Sequence, residues 1–226
     1  MTARQHLIVA LDLPDHEQLL TLAAKLRDEV AMVKIGLEAF VAHGPDLVHR
    51  LVDQGLEVFL DLKLHDIPRT AAAAARMASR MGVGLLTVHA GGGAAMVAAV
   101  REATSPRTRV IAVTVLTSLD DPALQSLGYR CGVTETATTL GGLALAAGAD
   151  GLVCSAHELA TLAPLPGLRV VPGVRPVGSD AGDQVRVATP REAVDAGADY
   201  IVVGRPILLA PDPIAAVRGI DATLIP

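Results

Sequence analysis

Four titratable side chains interrupt an apolar stretch that otherwise has the composition of a buried strand. The segment VFLDLKLHDIPRT at 58–70 places Asp61 and Lys63 two residues apart and follows them with His65 and Asp66. Residues two apart on a strand share a face, so the two charged side chains point the same way, toward a barrel mouth, while the leucines point away. A lysine held beside carboxylates stays protonated and can serve as a positioned general acid.

Two other roles for this charged pair stay open. A buried ion pair could simply hold the strand in register, although desolvation of such pairs can exceed the Coulombic gain. Lys63 could instead form a Schiff base, but that chemistry usually needs a depressed lysine pKa, and neighbouring carboxylates act in the opposite direction. Lys34 favours the catalytic interpretation, because it ends the preceding predicted strand and would bring a second cation within reach of Asp61.

The elements that must position these residues alternate along the whole chain. Short apolar, β-rich runs alternate with amphipathic or Ala-rich stretches of helical length, and this pattern predicts eight strands, at 6–12, 31–36, 57–63, 85–90, 109–116, 151–155, 169–174 and 200–204. Near-continuously apolar strands indicate a parallel sheet covered by helices. No linker divides the chain, so we expect one α/β domain over 1–226, a (β/α)₈ TIM barrel. An open doubly wound sheet is the alternative.

Local signals set several element boundaries. Asp15 and Thr189 have the residue types of helix N-caps, and Pro190 suits a first helical turn. Glycines that predict helix ends stand at Gly55, Gly82, Gly148 and Gly197. The longest predicted irregular stretch is roughly 118–133, long enough for an active-site loop.

Polar residues concentrate where the predicted strands end. They are Asp12, Lys34, Asp61 with Lys63, His89, Thr117 with Ser118, Arg175 and Arg205. In a (β/α)₈ barrel the active site lies at the carboxyl ends of the strands, so this distribution predicts a site there. We expect His89 to be structural, because no nucleophile accompanies it, and the glycines at 91–93 to form a tight turn.

The charged strand also resembles a known signature. DLKLHDIPRT at 61–70 is similar to the D-x-K-x-x-D-I-P-x-T motif of the orotidine 5′-phosphate decarboxylase family. Further segments resemble family blocks in family order: VALD at 9–12, VKIGLE at 33–38, TVHA at 87–90, VTVLTS at 113–118, PGVRP at 172–176, GDQVRVATP at 182–190 and VVGRPI at 202–207. The resemblance thus spans almost the whole chain.

The resemblance implies a catalytic tetrad and no cofactor. Its members would be Lys34, Asp61, Lys63 and Asp66, and Lys63 would deliver a proton to C6 of the pyrimidine as carbon dioxide leaves. Asp61 would lie beside the substrate carboxylate, while Lys34 and Asp12 would contact the ribose. No metal or organic cofactor is implied, so stabilisation of the C6 carbanion would have to be electrostatic.

The same resemblance implies the remaining binding residues and a partner. Asp66, Ile67 and Thr70 would reach into the site of a second copy, so the active form would be a homodimer with shared sites. Thr117 and Ser118 would read the amide edge of the pyrimidine. The phosphate would be bound by Gln184, Gly204, Arg205 and Arg175. The loop 118–133 and the spacing before Gln184 follow the family only loosely.

Two rival functions compete with this interpretation, and neither explains the full set of residues. Metal-dependent decarboxylases of keto-sugar acid phosphates share the D-x-K-x-x-D strand but resemble one another in having Glu where Lys34 stands, and that Glu helps to bind magnesium. A non-catalytic barrel is the second rival, and we would expect it to have lost a tetrad charge or Arg205.

The composition of the chain limits which partners it can bind and where in the cell we expect it. A net charge of −5, two Phe, two Tyr and no Trp argue against nucleic-acid binding. Cys131 and Cys154 have no metal-ligand or disulfide spacing. The absence of a leader or a long apolar run leads us to expect a soluble cytoplasmic enzyme, acting on a small molecule and away from membranes.

Overall fold

Eight parallel strands close into one barrel. The computed structural model describes residues 3–176 and 188–224. The strands are β1 (Leu7–Ala10), β2 (Met32–Gly36), β3 (Val58–Leu64), β4 (Leu85–His89), β5 (Arg109–Val113), β6 (Gly151–Val153), β7 (Leu168–Val171) and β8 (Tyr200–Val203). Each strand pairs with its sequence neighbours, and β8 pairs with β1 through Leu7 and Ile201. Closure confirms the predicted (β/α)₈ barrel and excludes the open sheet.

Helices follow the strands and surround the barrel. They are α1 (Ala3–His6), α2 (His16–Leu26), α3 (Leu37–Asp53), α4 (Pro68–Arg80), α5 (Ala94–Ala103), α6 (Asp121–Ser126), α7 (Val133–Ala146), α8 (Leu159–Leu162), α9 (Pro190–Asp195), α10 (Arg205–Leu208) and α11 (Pro213–Leu224). Among the described residues, no helix is long and apolar enough to cross a membrane.

The helix-boundary predictions are confirmed. The Asp15 carboxylate accepts a hydrogen bond from the Gln18 N–H, and Thr189 forms a capping box with Glu192 ahead of Pro190. The four predicted stop glycines have positive φ, at 81° for Gly55, 84° for Gly82, 98° for Gly148 and 103° for Gly197. The glycines at 91–93 complete a 3₁₀ turn, as expected of a tight turn.

One prediction about the loop after β5 is wrong. Residues 118–133 were expected to be irregular, but α6 occupies the middle of that stretch. The Asp120 carboxylate caps α6 by accepting from the Ala123 N–H, and Leu124 is buried against Val115 and Val133. A six-residue helix with one cap and one buried side chain is too short for its apolar periodicity to stand out in the sequence.

Alternation along the strands divides the apolar core into two layers. The barrel interior contains one cluster, made of Ile8, Ala10, Phe59, Leu85, Ile111, Val170 and Val202. The strand residues between them, such as Val9 and Leu60, join a larger cluster with the helices. Because Phe59 faces inward and Leu60 outward, Asp61 faces inward at the mouth of the barrel.

Candidate active site

The carboxyl ends of the strands surround a cavity of about 540 Å³. Eight of the predicted site residues line it: Asp12, Lys34, Asp61, Lys63, Thr117, Arg175, Gly204 and Arg205. They come from strands or strand ends all around the barrel, which closure of the sheet brings together. The volume suits a ligand of nucleotide size.

Four charged side chains form a continuous array on one wall of this cavity. Lys63 Nζ lies 2.8 Å from Asp61 Oδ1, and Lys34 Nζ lies 3.5 Å from Asp61 Oδ2. Lys34 Nζ also lies 3.5 Å from Asp12 Oδ1. The side chains of Asp61 and Lys34 are each 12% exposed, and that of Lys63 is 30% exposed. The expected second cation at Asp61 is therefore confirmed, and charge alternates along the array.

The backbone of β3 departs from regular geometry where it carries the array. Leu60 pairs with Leu86, and Leu64 pairs with Val88, so three residues of β3 stand opposite the single residue Thr87 of β4. Lys63 has a φ of 51°, and no other described non-glycine residue has a positive φ. Such a conformation costs a non-glycine residue about 1–3 kcal/mol. The surrounding structure must therefore hold Lys63 in place.

Thr87 makes the contacts that fill this irregularity. The Lys63 N–H donates to Thr87 Oγ1 at 2.9 Å, and Thr87 Oγ1 donates to Asp61 Oδ1 at 2.9 Å. The Thr87 side chain is fully buried. Sequence reasoning missed this residue, because a threonine in an apolar strand has the ordinary composition of a β-branched core position.

The electrostatic environment keeps Asp61 ionised. Burial raises the pKa of the Asp61 carboxyl, but the charges of Lys34 and Lys63 oppose it. Hydrogen bonds from Lys63 and Thr87 act in the same direction as the two cations, and together they hold the pKa below its ordinary value of 3.8. The site therefore presents a fixed negative charge between two ammonium groups.

The other walls of the cavity combine apolar surface with a second cationic region. Apolar side chains from the strand ends form a surface against which a planar ring can pack: Val113, Val115, Val153, Val170, Pro172 and Val202. Arg175 is 7% exposed; its backbone N–H donates to the Ala188 carbonyl, and its guanidinium donates to the Val174 carbonyl. Arg205 opens α10 immediately after Gly204 and is exposed. Glu38, which we did not predict, also lines the cavity.

Several predicted site residues lie outside the cavity of their own chain. Ser118, Asp66, Ile67 and Thr70 are exposed and are absent from the described lining. The Asp66 carboxylate accepts a hydrogen bond from the Ile67 N–H at 2.7 Å. The contacts of Asp66, Ile67 and Thr70 with a second copy stay a prediction. Gln184 lies outside the described residues.

His89 lies beside the array and does not line the main cavity. Together with His65, it borders a neighbouring cavity of about 290 Å³, and the two rings are 5.3 Å apart. Burial lowers the pKa of His89 below 6.5, and the charges of His65 and Lys63 lower it further against the opposing effect of Asp61. The structural role of His89 stays a prediction.

The fold and this site define a class of protein, a TIM barrel with a charged, ligand-sized cavity at its catalytic face. Residues 5–220 match the model of the orotidine 5′-phosphate decarboxylase / HUMPS family. This chain therefore belongs to that family.

Relatives of known name cover nearly the whole chain. A protein of Anaeromyxobacter sp. (strain K) named orotidine 5′-phosphate decarboxylase is 51% identical over 227 residues, which are 99% of this chain and 100% of the relative. One of Novosphingobium aromaticivorans with the same name is 47% identical and covers 96% of this chain and 97% of its own. The crystal structure of orotidine 5′-phosphate decarboxylase from Lactobacillus acidophilus has a TM-score of 0.86 and 37% identity, covering 98% of this chain and 100% of that one.

Proposed function

We propose that this protein decarboxylates orotidine 5′-phosphate to UMP in pyrimidine biosynthesis, without a metal or an organic cofactor. Membership of the family and the names of full-length relatives near 50% identity support this activity. The observation that carries the proposal is the array of Lys63, Asp61 and Lys34 on the wall of a cavity large enough for the nucleotide.

Lys63 is the proton donor in this mechanism. The bond between C6 and the carboxylate carbon breaks heterolytically, carbon dioxide leaves, and the electron pair stays on C6. The Lys63 ammonium transfers one proton to C6 and becomes neutral, and solvent then reprotonates it. An ammonium held 2.8 Å from Asp61 is positively charged before the reaction, so it stabilises the developing carbanion as well as protonating it.

Asp61 and Lys34 prepare the site for this step. The ionised Asp61 lies beside the substrate carboxylate and holds the Lys63 ammonium toward C6. Lys34 balances the charge of Asp61 from the other side and, with Asp12, binds the ribose hydroxyls. The array is thus organised before the substrate binds, which is the condition for large electrostatic stabilisation.

The remaining cavity residues bind the rest of the nucleotide. Arg205 and the backbone at Gly204 bind the phosphate, assisted by Arg175, and all three residues line the cavity. The family resemblance adds Gln184 to this set. Arginine suits this role because its planar fork matches phosphate oxygens. Thr117 and Ser118 bind the polar edge of the pyrimidine, whose faces pack on the apolar wall.

A second copy of the chain completes each site. The start of α4 supports this arrangement, because Asp66 and Thr70 are exposed and Ile67 is 64% exposed beside them. Met77, about two turns after Thr70 on α4, is also exposed at 49%. An exposed apolar side chain next to a carboxylate fits a homodimer interface that carries Asp66 to the partner's substrate.

The position of Lys34 argues against the metal-dependent rival. Its ammonium lies 3.5 Å from both Asp12 and Asp61. It therefore fills the space between the two carboxylates in which a divalent cation would need to sit.

A cytoplasmic location fits the proposed substrate, because a phosphorylated molecule is retained by membranes.

An ultraviolet assay with orotidine 5′-phosphate tests the proposed function. We expect the absorbance loss of decarboxylation at the same rate with and without EDTA, and a loss of roughly 10³-fold or more in Lys63→Ala. An inactive wild type, or full activity in Lys63→Ala, would contradict the proposal. Activity that EDTA abolishes would instead favour the metal-dependent rival.

A further inference from the structure

Thr87 occupies the one position of β4 that faces the catalytic segment of β3. The register places Asp61, Leu62 and Lys63 opposite this single residue. In a regular parallel ladder, strand N–H groups donate to backbone carbonyls of the neighbouring strand. Here the Lys63 N–H donates to the Thr87 hydroxyl instead, at 2.9 Å. A side chain thus replaces a backbone partner where β3 leaves regular geometry.

The Thr87 hydroxyl acts on the array both as an acceptor and as a donor. It accepts from the Lys63 backbone and donates to Asp61 Oδ1 at 2.9 Å. The same Asp61 oxygen accepts from Lys63 Nζ at 2.8 Å. One buried oxygen therefore links the backbone of the lysine to the carboxylate that orients its ammonium.

We propose that Thr87 is a positioning residue for the decarboxylation, which holds Lys63 in its left-handed backbone conformation and fixes the rotamer of Asp61. The residue is fully buried and does not line the described cavity, so it acts through Lys63 and Asp61. This inference rests on the proposed function of those two residues. Without the hydroxyl, Lys63 would relax toward negative φ, and its ammonium would move away from the reacting carbon.

Three variants separate this role from a general effect on the core. Thr87→Val keeps the shape but loses the hydroxyl, whereas Thr87→Ser keeps the hydroxyl. Thr108→Val is the matched control, because Thr108 is equally buried and its hydroxyl donates to the Val83 carbonyl. Thr108 lies just before β5, at the opposite end of the barrel from the cavity.

Steady-state kinetics give the first measurement. We expect kcat to fall roughly 10- to 100-fold in Thr87→Val, because misplacement of a reacting group by about 1 Å has an effect of that size. KM should change less than about threefold, and Thr87→Ser should recover most of kcat.

The pH dependence of kcat gives a second measurement. The acid limb of this profile should move to higher pH in Thr87→Val alone, since Asp61 loses a hydrogen bond that lowers its pKa. A kcat within twofold of wild type in Thr87→Val, an equal loss in Thr87→Ser, or an equal loss in Thr108→Val would overturn the proposal.

Amide hydrogen exchange gives a measurement that does not depend on activity. The Lys63 amide should exchange at least about tenfold faster in Thr87→Val than in wild type, while Thr108→Val leaves it unchanged. Unchanged exchange of Lys63 in Thr87→Val would overturn the role of Thr87 even if the protein acts on another substrate. Failure of the wild type to decarboxylate orotidine 5′-phosphate, with faster Lys63 exchange in Thr87→Val, would overturn the proposed function and leave the positioning contact in place.

Discussion

Gly36 stands directly opposite Asp61 in the register between β2 and β3. A Cβ at Gly36 would lie 2.8 Å from Lys34 Nζ and 3.1 Å from Asp12 Oδ1. The missing side chain therefore makes room beside Asp61 for the Lys34 ammonium. Glycine is required here by space, since its φ of −88° is open to any residue.

Gly36→Ala should disturb the charged array and lower activity without destabilising the fold. The added methyl group displaces the end of the flexible Lys34 side chain, so we expect kcat/KM to fall by roughly 10- to 100-fold while the melting temperature changes by only a few degrees. Gly142→Ala is the control, because a Cβ there meets nothing within 4 Å. Unchanged kcat/KM in Gly36→Ala would show that Lys34 does not need its present position.

Arg205 should contribute to binding only when the substrate carries a phosphate. We expect Arg205→Ala to lower kcat/KM for orotidine 5′-phosphate by roughly 10²-fold and to leave the much slower reaction of orotidine nearly unchanged. Arg218→Ala provides the control, since Arg218 is exposed and pairs with Glu29. Equal losses on both substrates would place Arg205 outside the phosphate site.

His89 should make the stability of the fold depend on pH near neutrality. Its pKa in the folded protein lies below the ordinary value of 6.5, so the unfolded chain binds more protons in the interval between the two values. The free energy of unfolding therefore rises as the pH increases through that interval, and the protein is less stable below it. Urea unfolding at pH 7.5 and 5.5 should show a smaller difference in His89→Gln than in wild type, whereas His49→Gln, at an exposed position of α3, should keep the full difference.

Mixed dimers should test whether Asp66 serves the partner's site. Lys63→Ala and Asp66→Ala homodimers should both be nearly inactive. In a heterodimer of the two variants, one site receives both substitutions and the other receives none. Random exchange of subunits should therefore restore about a quarter of wild-type activity. No recovery in a mixture shown by mass spectrometry to contain heterodimers would mean that Lys63 and Asp66 act within one subunit.

The sequence allowed the barrel and its charged wall to be predicted because both depend on short-range patterns. Alternating apolar runs located all eight strands, and the two-residue spacing of Asp61 and Lys63 indicated their shared face. The bulge at Lys63 and the role of Thr87 depend on the register between β3 and β4, which is a non-local property. The short helix α6 was missed for a different reason, because one buried side chain in six residues leaves little periodicity.

The array also explains why a costly arrangement of charges persists in the core. Partly buried ion pairs are weak stabilisers, and Lys63 adds a strained backbone to that cost. A chain that needed only a stable barrel would have an apolar residue at 61 or 63 at lower cost. The arrangement is consistent with a site organised for reaction at the expense of stability.

The most direct test of the central claim asks whether an ammonium group at position 63 is what the reaction needs. Lys63→Cys should lose roughly 10³-fold or more of the decarboxylation rate on orotidine 5′-phosphate. Alkylation of that variant with 2-bromoethylamine places an ammonium at nearly the length of lysine, and it should raise the rate at least about tenfold, with identically treated wild type as the control for Cys131 and Cys154. The account predicts this recovery. A Lys63→Cys variant as fast as wild type, or one that stays inactive after complete alkylation of residue 63, would contradict it.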